Sequence, residues 1–185
     1  MQTEQELLQQ VINGQPRAQH ELYSRYAAMG MAVAMRYVVD RDVARDVLQD
    51  SFVKVFTRIG GFEYRGEGTL KSWVLRIVAN ESVDYLRSKD RLMFSDKAPE
   101  DLSDDVPDEE PDVGLLPPGV LQQMIKSLPP GYRIVLNLFV FEQHSHREIA
   151  QQLGISENTS ALRFLRAKKQ LARMIREYLD NPQRI

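Results

Sequence analysis

The chain has 185 residues, 43% of them hydrophobic and 27% charged, with a formal net charge of −2 and no cysteine. This ordinary globular composition excludes a disulfide scaffold, a thiolate zinc site and a cysteine nucleophile. The longest run of small apolar residues, 27–35, is far shorter than the roughly 20 residues that cross a bilayer, and residues 1–12 show no secretory signal, so we expect a cytoplasmic protein.

The first half of the chain, residues 1–94, is predicted to be a bundle of about four helices. Apolar residues recur there at intervals of three or four, which is the period of one helix face. The repeat is clearest through Leu22, Tyr26, Met29, Val33 and Tyr37, and then through two adjacent columns, Val43, Val47, Ser51, Val55 and Ile59, and Ala44, Leu48, Phe52 and Phe56.

The helix that carries the two columns has a different surface on its opposite side. Asp46, Gln49, Asp50 and Val53 share that face. An acidic, partly apolar helix face suits a partner with basic residues, although most such faces are simply solvated.

A third helix is predicted from Leu70 to Arg87, with Thr69 as its N-cap, after a glycine-punctuated loop. Its predicted core stripe is Leu75, Val78, Ala79, Ser82 and Leu86. A separate polar stripe, with Lys71 close by, contains Trp73, Arg76, Asn80, Asp84 and Arg87. An aromatic side chain among hydrogen-bonding residues suits unstacked bases. The alternative is a half-buried tryptophan packed at the domain edge.

Residues 95–118 differ from the rest of the chain. They carry nine acidic residues and one basic residue, five prolines and no aromatic residue. Such a segment buries too little apolar surface to fold, so we predict a flexible acidic linker. It is either a solvated tether or a ribbon that mimics nucleic acid in a basic channel.

The last part, residues 119–185, is predicted to contain a helix-turn-helix. Helices are expected at about 132–141, 145–153 and 157–179, with Gly154 breaking the second and Ser156 capping the third. A small core between the last two would be formed by Ile149, Leu153, Ile155 and Leu162.

The third of these helices has the charge pattern of a DNA reader. Six basic residues and no acidic one occur within 163–176. The N-terminal turns, 157–163, would face base edges while the later basic residues neutralise phosphates. The alternative is a basic solvated helix.

Catalytic and metal sites are not predicted. The pair His144 and His146 has no cysteine beside it and only one further histidine in the chain, and no phosphate-binding loop or hydrolase motif is present. We therefore expect no enzyme activity, no metal and no cofactor.

Three segments resemble the bacterial sigma factors, specifically the extracytoplasmic-function group. Residues 42–56, DVARDVLQDSFVKVF, are similar to the segment that binds core RNA polymerase, and residues 69–87, TLKSWVLRIVANESVDYLR, to the −10 promoter segment. Three short segments are similar to the −35-binding domain: LPPGYR at 128–133, EIAQQLGIS at 148–156 with Thr159, and RAK at 166–168. The resemblance implies promoter recognition and duplex opening together with core polymerase. It also implies an anti-sigma partner, often a membrane protein.

The resemblance also implies roles for individual residues, without a catalytic one. The contact with polymerase would involve, or be supported by, Asp46, Gln49, Asp50, Phe52 and Val53. The strand-separated −10 element would meet Lys71, Trp73, Arg76, Asn80, Asp84 and Arg87. The −35 element would meet Ser156, Asn158, Thr159, Ala161, Arg163, Arg166, Lys168 and Lys169.

One segment departs from the family pattern. After Thr159 the family commonly has a hydrophobic residue, a basic residue and a serine, whereas this chain has Ser160, Ala161 and Leu162. A basic residue that could contact a base is therefore missing at position 161.

Two other functions compete with this interpretation: a helix-turn-helix regulator that needs no polymerase, and an enzyme acting on single-stranded nucleic acid.

Overall fold

The structure, a computed structural model, describes residues 2–89, 111–117 and 119–181. In these residues it contains eight α-helices, two short 3-10 turns and no β-strand, which confirms the predicted all-α class. The chain divides into two compact units, with the boundary between Ser88 and Lys89. None of the described helices combines the length and apolar character needed to span a membrane.

The first unit is an arrangement of four helices, of which two begin with a side-chain cap. Its helices are α1 Glu4–Ile12, α2 Pro16–Tyr37, α3 Arg41–Arg58 and α4 Thr69–Lys89. Thr3 and Glu6 form a capping box on α1, and the Asp40 side chain accepts two backbone N–H groups at the start of α3. Thr69, predicted to be an N-cap, is instead the first helical residue of α4. Gly68, with φ of +87°, directly precedes it.

Most residues of the apolar columns predicted for α2 and α3 are buried in the core of the first unit, whereas Met29, Val43 and Phe56 are half-buried. A glycine at position 30 lets the two helices approach closely, since a Cβ there would lie 2.7 Å from Leu48 Cδ1. Lys54 and Glu81 form an ion pair that joins α3 to α4. On α4, Val74 and Val83 are buried and Leu75 is half-exposed, so the predicted core stripe was wrong at Leu75.

The second unit contains the helix-turn-helix and one helix that the sequence analysis did not predict. Its helices are α5 Val120–Ser127, α6 Pro130–Val140, α7 His146–Leu153 and α8 Glu157–Asp180. The unpredicted helix is α5, which buries Met124 and Ile125 against α8. The Arg133 guanidinium is buried and donates to the carbonyl oxygens of Lys126 (2.8 Å) and Leu128 (2.9 Å), and its burial lowers the pKa of Arg133.

The end of the predicted linker packs against the second unit. Residues 113–115 form a 3-10 turn, and Leu116 packs against the core of the second unit. Pro111 and Val113 line an apolar groove of about 290 Å³ on this unit. Pro111 and Leu116 are half-buried, whereas Val113 and Leu115 are exposed, so residues 111–117 contact the second unit in part and keep a largely solvated surface. Residues 95–110 and 118 of the predicted linker lie outside the described residues.

Candidate functional site

The first candidate site is a groove beside Trp73 in the first unit. The Trp73 ring is half-buried and tilted by 39° against the Phe62 ring, with the centroids 5.0 Å apart. The groove has a volume of about 730 Å³, and its lining includes the polar side chains of Arg65, Glu67 and Arg76. The half-buried ring packed at the edge of the unit agrees with the alternative interpretation of Trp73. The ring also borders the open groove, and base stacking there stays a prediction.

Glu4 holds in place the loop that forms one wall of this groove. The Glu4 carboxylate, only 7% exposed, accepts one hydrogen bond from the Tyr26 hydroxyl and one from the Gly68 N–H, each 2.7 Å long. The Glu4 N–H in turn donates to Glu67 Oε1 at 3.3 Å. Burial, and then the hydrogen bond to Glu4, raise the pKa of Tyr26. The N-terminal helix thus fixes the position of a loop more than sixty residues away in sequence.

The polar stripe of α4 extends away from the groove along the surface. Trp73 and Asn80 are half-buried, whereas Lys71, Arg76, Asp84 and Arg87 are exposed. The stripe lies opposite the buried Val74 and Val78, so its polar groups can meet a ligand without disturbing the core.

The acidic face of α3 has the composition expected from the sequence. Asp46, Gln49 and Asp50 are exposed, and Val53 is 62% exposed. Phe52, by contrast, is 3% exposed and packs edge-on against Tyr23 at 4.7 Å. Phe52 therefore cannot touch a partner directly, and its only possible role in such a contact is to support the helix.

The helix-turn-helix of the second unit is fixed by its caps. Ser145 and Glu148 form a capping box on α7, and the hydrogen bonds from Ser145 lower the pKa of Glu148. Gly154 ends α7 with φ of +69°, a conformation that a glycine adopts without strain. The Ser156 hydroxyl then accepts the Thr159 N–H at 3.1 Å and caps α8. The predicted break at Gly154 and the predicted cap at Ser156 are confirmed.

Two of the residues predicted to meet the −35 element point into the protein. Arg163 is 2% exposed and Thr159 is 6% exposed. Both lie on the side of α8 that also buries Ser160 and Ala167, because positions 159, 160, 163 and 167 share one face of a helix. These two assignments to the DNA surface are therefore wrong. The other predicted residues are exposed (Ser156, Asn158, Lys168) or half-buried (Ala161, Arg166, Lys169).

Two leucines on the outer side of α8 were missed. Leu162 is 38% exposed and Leu165 is 48% exposed. Leu162 was predicted to join the core between α7 and α8, but Ile149, Leu153 and Ile155 fill that core without it. The available signal was helical spacing, since 158, 162, 165 and 169 fall on one face.

The second unit also uses His146 structurally. Its ring stacks on Phe139, with centroids 4.6 Å apart and planes 19° from parallel, and its Nδ1 lies 3.0 Å from Ser160 Oγ. These contacts tie α6, α7 and α8 together. They place His146 in a helix-packing role.

Comparison with known proteins identifies both units. Residues 22–92 match the family described as Sigma-70 region 2, and residues 119–171 match Sigma-70, region 4. The chain is 30% identical to the RNA polymerase sigma factor SigV of Bacillus subtilis over 74% of this chain and 78% of that one. It is 28% identical to the RNA polymerase sigma-H factor of Pseudomonas aeruginosa over 95% of each chain.

A similar fold is found in a solved sigma factor. The factor RpoE of Bartonella quintana, in complex with the anti-sigma factor NepR, aligns over 80% of this chain and 91% of its own, with 23% identity and a TM-score of 0.50. The ECF RNA polymerase sigma-E factor of Haemophilus influenzae is 27% identical over 94% of this chain and 95% of that one. The chain therefore belongs to the RNA polymerase sigma factors, in their extracytoplasmic-function group.

Proposed function

We propose that this sigma factor divides its work among three surfaces: the acidic face of α3, the groove with the polar stripe of α4, and the outer side of α8. A sigma factor binds core RNA polymerase, recognises the −10 and −35 promoter elements, opens the duplex and initiates transcription, while the core enzyme performs the chemistry. The three surfaces account for docking, opening and upstream recognition respectively.

The groove beside Trp73 gives the proposal its main support, because its lining suits an unpaired base. A base turned out of the duplex needs an aromatic face for stacking and polar groups for its edge. Trp73 and Phe62 supply the face, and Arg76, Glu67 and the Thr69 hydroxyl line the same groove. Asn80 and Asp84 would follow the strand along α4, with Lys71 and Arg87 near its phosphates.

The acidic face of α3 is proposed to meet the polymerase. Asp46, Gln49 and Asp50 offer charge and hydrogen bonds, and the exposed Val53 offers apolar area beside them. Such a mixture favours a basic partner surface with an apolar centre. Phe52 would keep the helix in place from behind.

The outer side of α8 is proposed to enter the major groove at the −35 element. The helix start capped by Ser156 favours a phosphate, and Arg166, Lys168 and Lys169 would neutralise others. In this proposal residues 1–94 bind polymerase and the −10 element, residues 95–118 form the linker, and residues 119–185 bind the −35 element.

A partner that silences the factor is also proposed. The Bartonella quintana relative was solved in complex with an anti-sigma factor, and the resemblance suggests a protein of the same kind here, in some cases bound to a membrane. Because polymerase and promoter are cytoplasmic, the chain would act in the cytoplasm, with no catalysis of its own.

Replacing Trp73 tests the proposal. Losing one base stack costs ~1–3 kcal/mol, so Trp73→Ala is expected to reduce promoter opening roughly 5- to 150-fold while core polymerase binding is unchanged. Permanganate oxidation of unpaired thymines measures opening, and co-purification with core measures binding. Trp73→Phe is the matched control, and it should retain most of the opening. An equal loss of both properties in Trp73→Ala would contradict the assignment.

A further inference from the structure

The outer side of α8 changes in chemistry along its length. Its first three outward positions are Asn158, Leu162 and Leu165, and all three side chains are uncharged and exposed. The next outward positions are basic: Lys169, Arg173 and Arg176. The half of the helix nearest the helix-turn-helix turn therefore presents an amide and two leucines where a sequence reader is expected.

Two exposed leucines restrict what this surface can bind in a major groove. The C5-methyl of thymine is the one apolar group that natural bases present there, while guanine presents two acceptors and cytosine a donor. A leucine pressed against guanine or cytosine would remove water from those polar groups without replacing their hydrogen bonds. Against thymine it would bury a methyl group.

We propose that Leu162 and Leu165 select thymines in the −35 element by contacting their methyl groups. This inference rests on the proposed function of α8. The two side chains are separated by about 4.5 Å along the helix axis, which is close to one base-pair step of roughly 3.4 Å. Adjacent thymines therefore fit the pair, on either strand. Asn158, one turn earlier, suits an adenine beside them, since an amide can pair with its N6 and N7.

The charge around the leucines favours DNA over a protein as the occupant. No acidic residue occurs between Asn158 and Arg176, and the outward residues that follow the leucines, Lys169, Arg173 and Arg176, are cations. Phosphates on either side of a major groove satisfy those cations. Because position 161 is alanine, base recognition by this part of α8 would depend on the Asn158 amide and on the methyl contacts of the two leucines.

The experiment compares thymine with uracil, which differs only in the methyl group. Holoenzyme reconstituted from core polymerase and the full chain is used to select duplexes randomised at the upstream promoter element. Each selected thymine is then replaced singly by deoxyuridine. Burial of one methyl group corresponds to about four-fold in affinity, so we expect a loss of that size at the thymines that face Leu162 and Leu165.

Variants assign the methyl contacts. In Leu162→Ala one of these uracil effects should vanish, and in Leu165→Ala the neighbouring one. Both sites are exposed and alanine is the strongest helix former, so α8 should persist. Leu162→Gln should lose the same effect while retaining side-chain length. The matched control is Leu115→Ala, an exposed leucine outside α8, which should keep every uracil effect.

The possible outcomes distinguish a failure of thymine selection from a failure of the proposed −35 role of α8. A selected element without thymines, or uracil effects that are identical in Leu162→Ala and the unmodified chain, would overturn thymine selection while leaving the −35 role intact. Recovery of no upstream sequence at all would overturn both. A four-fold effect that disappears only in the α8 leucine variants would establish the contact.

Discussion

The hydrogen bonds of Glu4 yield the sharpest prediction about the first unit. This carboxylate is buried and joins α1 to the Tyr26 hydroxyl and to the Gly68 N–H in the loop beside Trp73. Glu4→Leu removes both acceptors and leaves two donors without them. A hydrogen bond to a charged group contributes about 1.5–3 kcal/mol, so we expect the free energy of unfolding of the first unit to fall by about 3 kcal/mol.

Glu4→Gln provides a matched comparison. Its amide oxygen can accept from the Gly68 N–H while its amide nitrogen donates to the Tyr26 oxygen, because a hydroxyl both donates and accepts. We therefore expect a loss of less than about 1 kcal/mol, mainly from the missing charge at the start of α1. Tyr26→Phe removes one of the two bonds and should fall between, at about 1.5 kcal/mol.

The assay uses the full chain and its single tryptophan. Trp73 lies in the first unit, so urea unfolding followed by tryptophan fluorescence reports on that unit alone. Holoenzyme with Glu4→Leu should also open promoters more slowly, because the groove wall is no longer held in place. Glu6→Gln, in the exposed capping box of the same helix, is the control. Equal stability of Glu4→Leu and Glu6→Gln would refute the reasoning.

Three further predictions concern the other surfaces and pH. Asp50→Lys should abolish core polymerase binding with helical content unchanged by circular dichroism, whereas the exposed Glu21→Lys on α2 should bind normally; retained binding by Asp50→Lys would remove α3 from the interface. Arg166→Ala should flatten the slope of log affinity for promoter DNA against log salt by about one unit, while Arg163→Met should lower stability without changing that slope; an unchanged slope in Arg166→Ala would count against a phosphate contact. The hydrogen bonds from Ser145 lower the pKa of Glu148 below its ordinary value of 4.5. The ionised Glu148 should therefore stabilise α7 fully above pH 4.5, and this stabilisation should be lost as the pH falls through the lowered pKa. Hydrogen exchange of the α7 amides measures the pH dependence, which Glu148→Gln should remove.

Local chemistry made the helix-turn-helix predictable. The cap at Ser156 and the break at Gly154 depend on a few neighbouring residues, and the apolar repeat of α2 and α3 is long enough to reveal its period. The helix α5 was missed because its eight residues lie between proline-containing segments and offer barely two turns of pattern.

The errors on α8 arose because its residues were assigned without resolving which side of the helix faces the core. Arg163 was assigned to DNA with the other N-terminal turns of α8, although it shares a face with the buried Ala167. Leu162 was assigned to the core between α7 and α8, although it lies on the outer side. Consecutive residues of a helix point about 100° apart. Position 163 therefore faces the core and position 162 faces outward, which is the reverse of the prediction. The Glu4 contacts were not foreseeable, since they join residues that only the tertiary fold brings together.

Transcription by core polymerase with and without the chain tests the central claim most directly. Core enzyme is incubated with genomic fragments of the host bacterium, and the 5′ ends of the transcripts are mapped. Adding the chain should produce new start sites that share one −10 and one −35 sequence at a constant spacing, and Trp73→Ala should lose most of them. Transcript 5′ ends that are the same in the presence and absence of the chain would contradict the account.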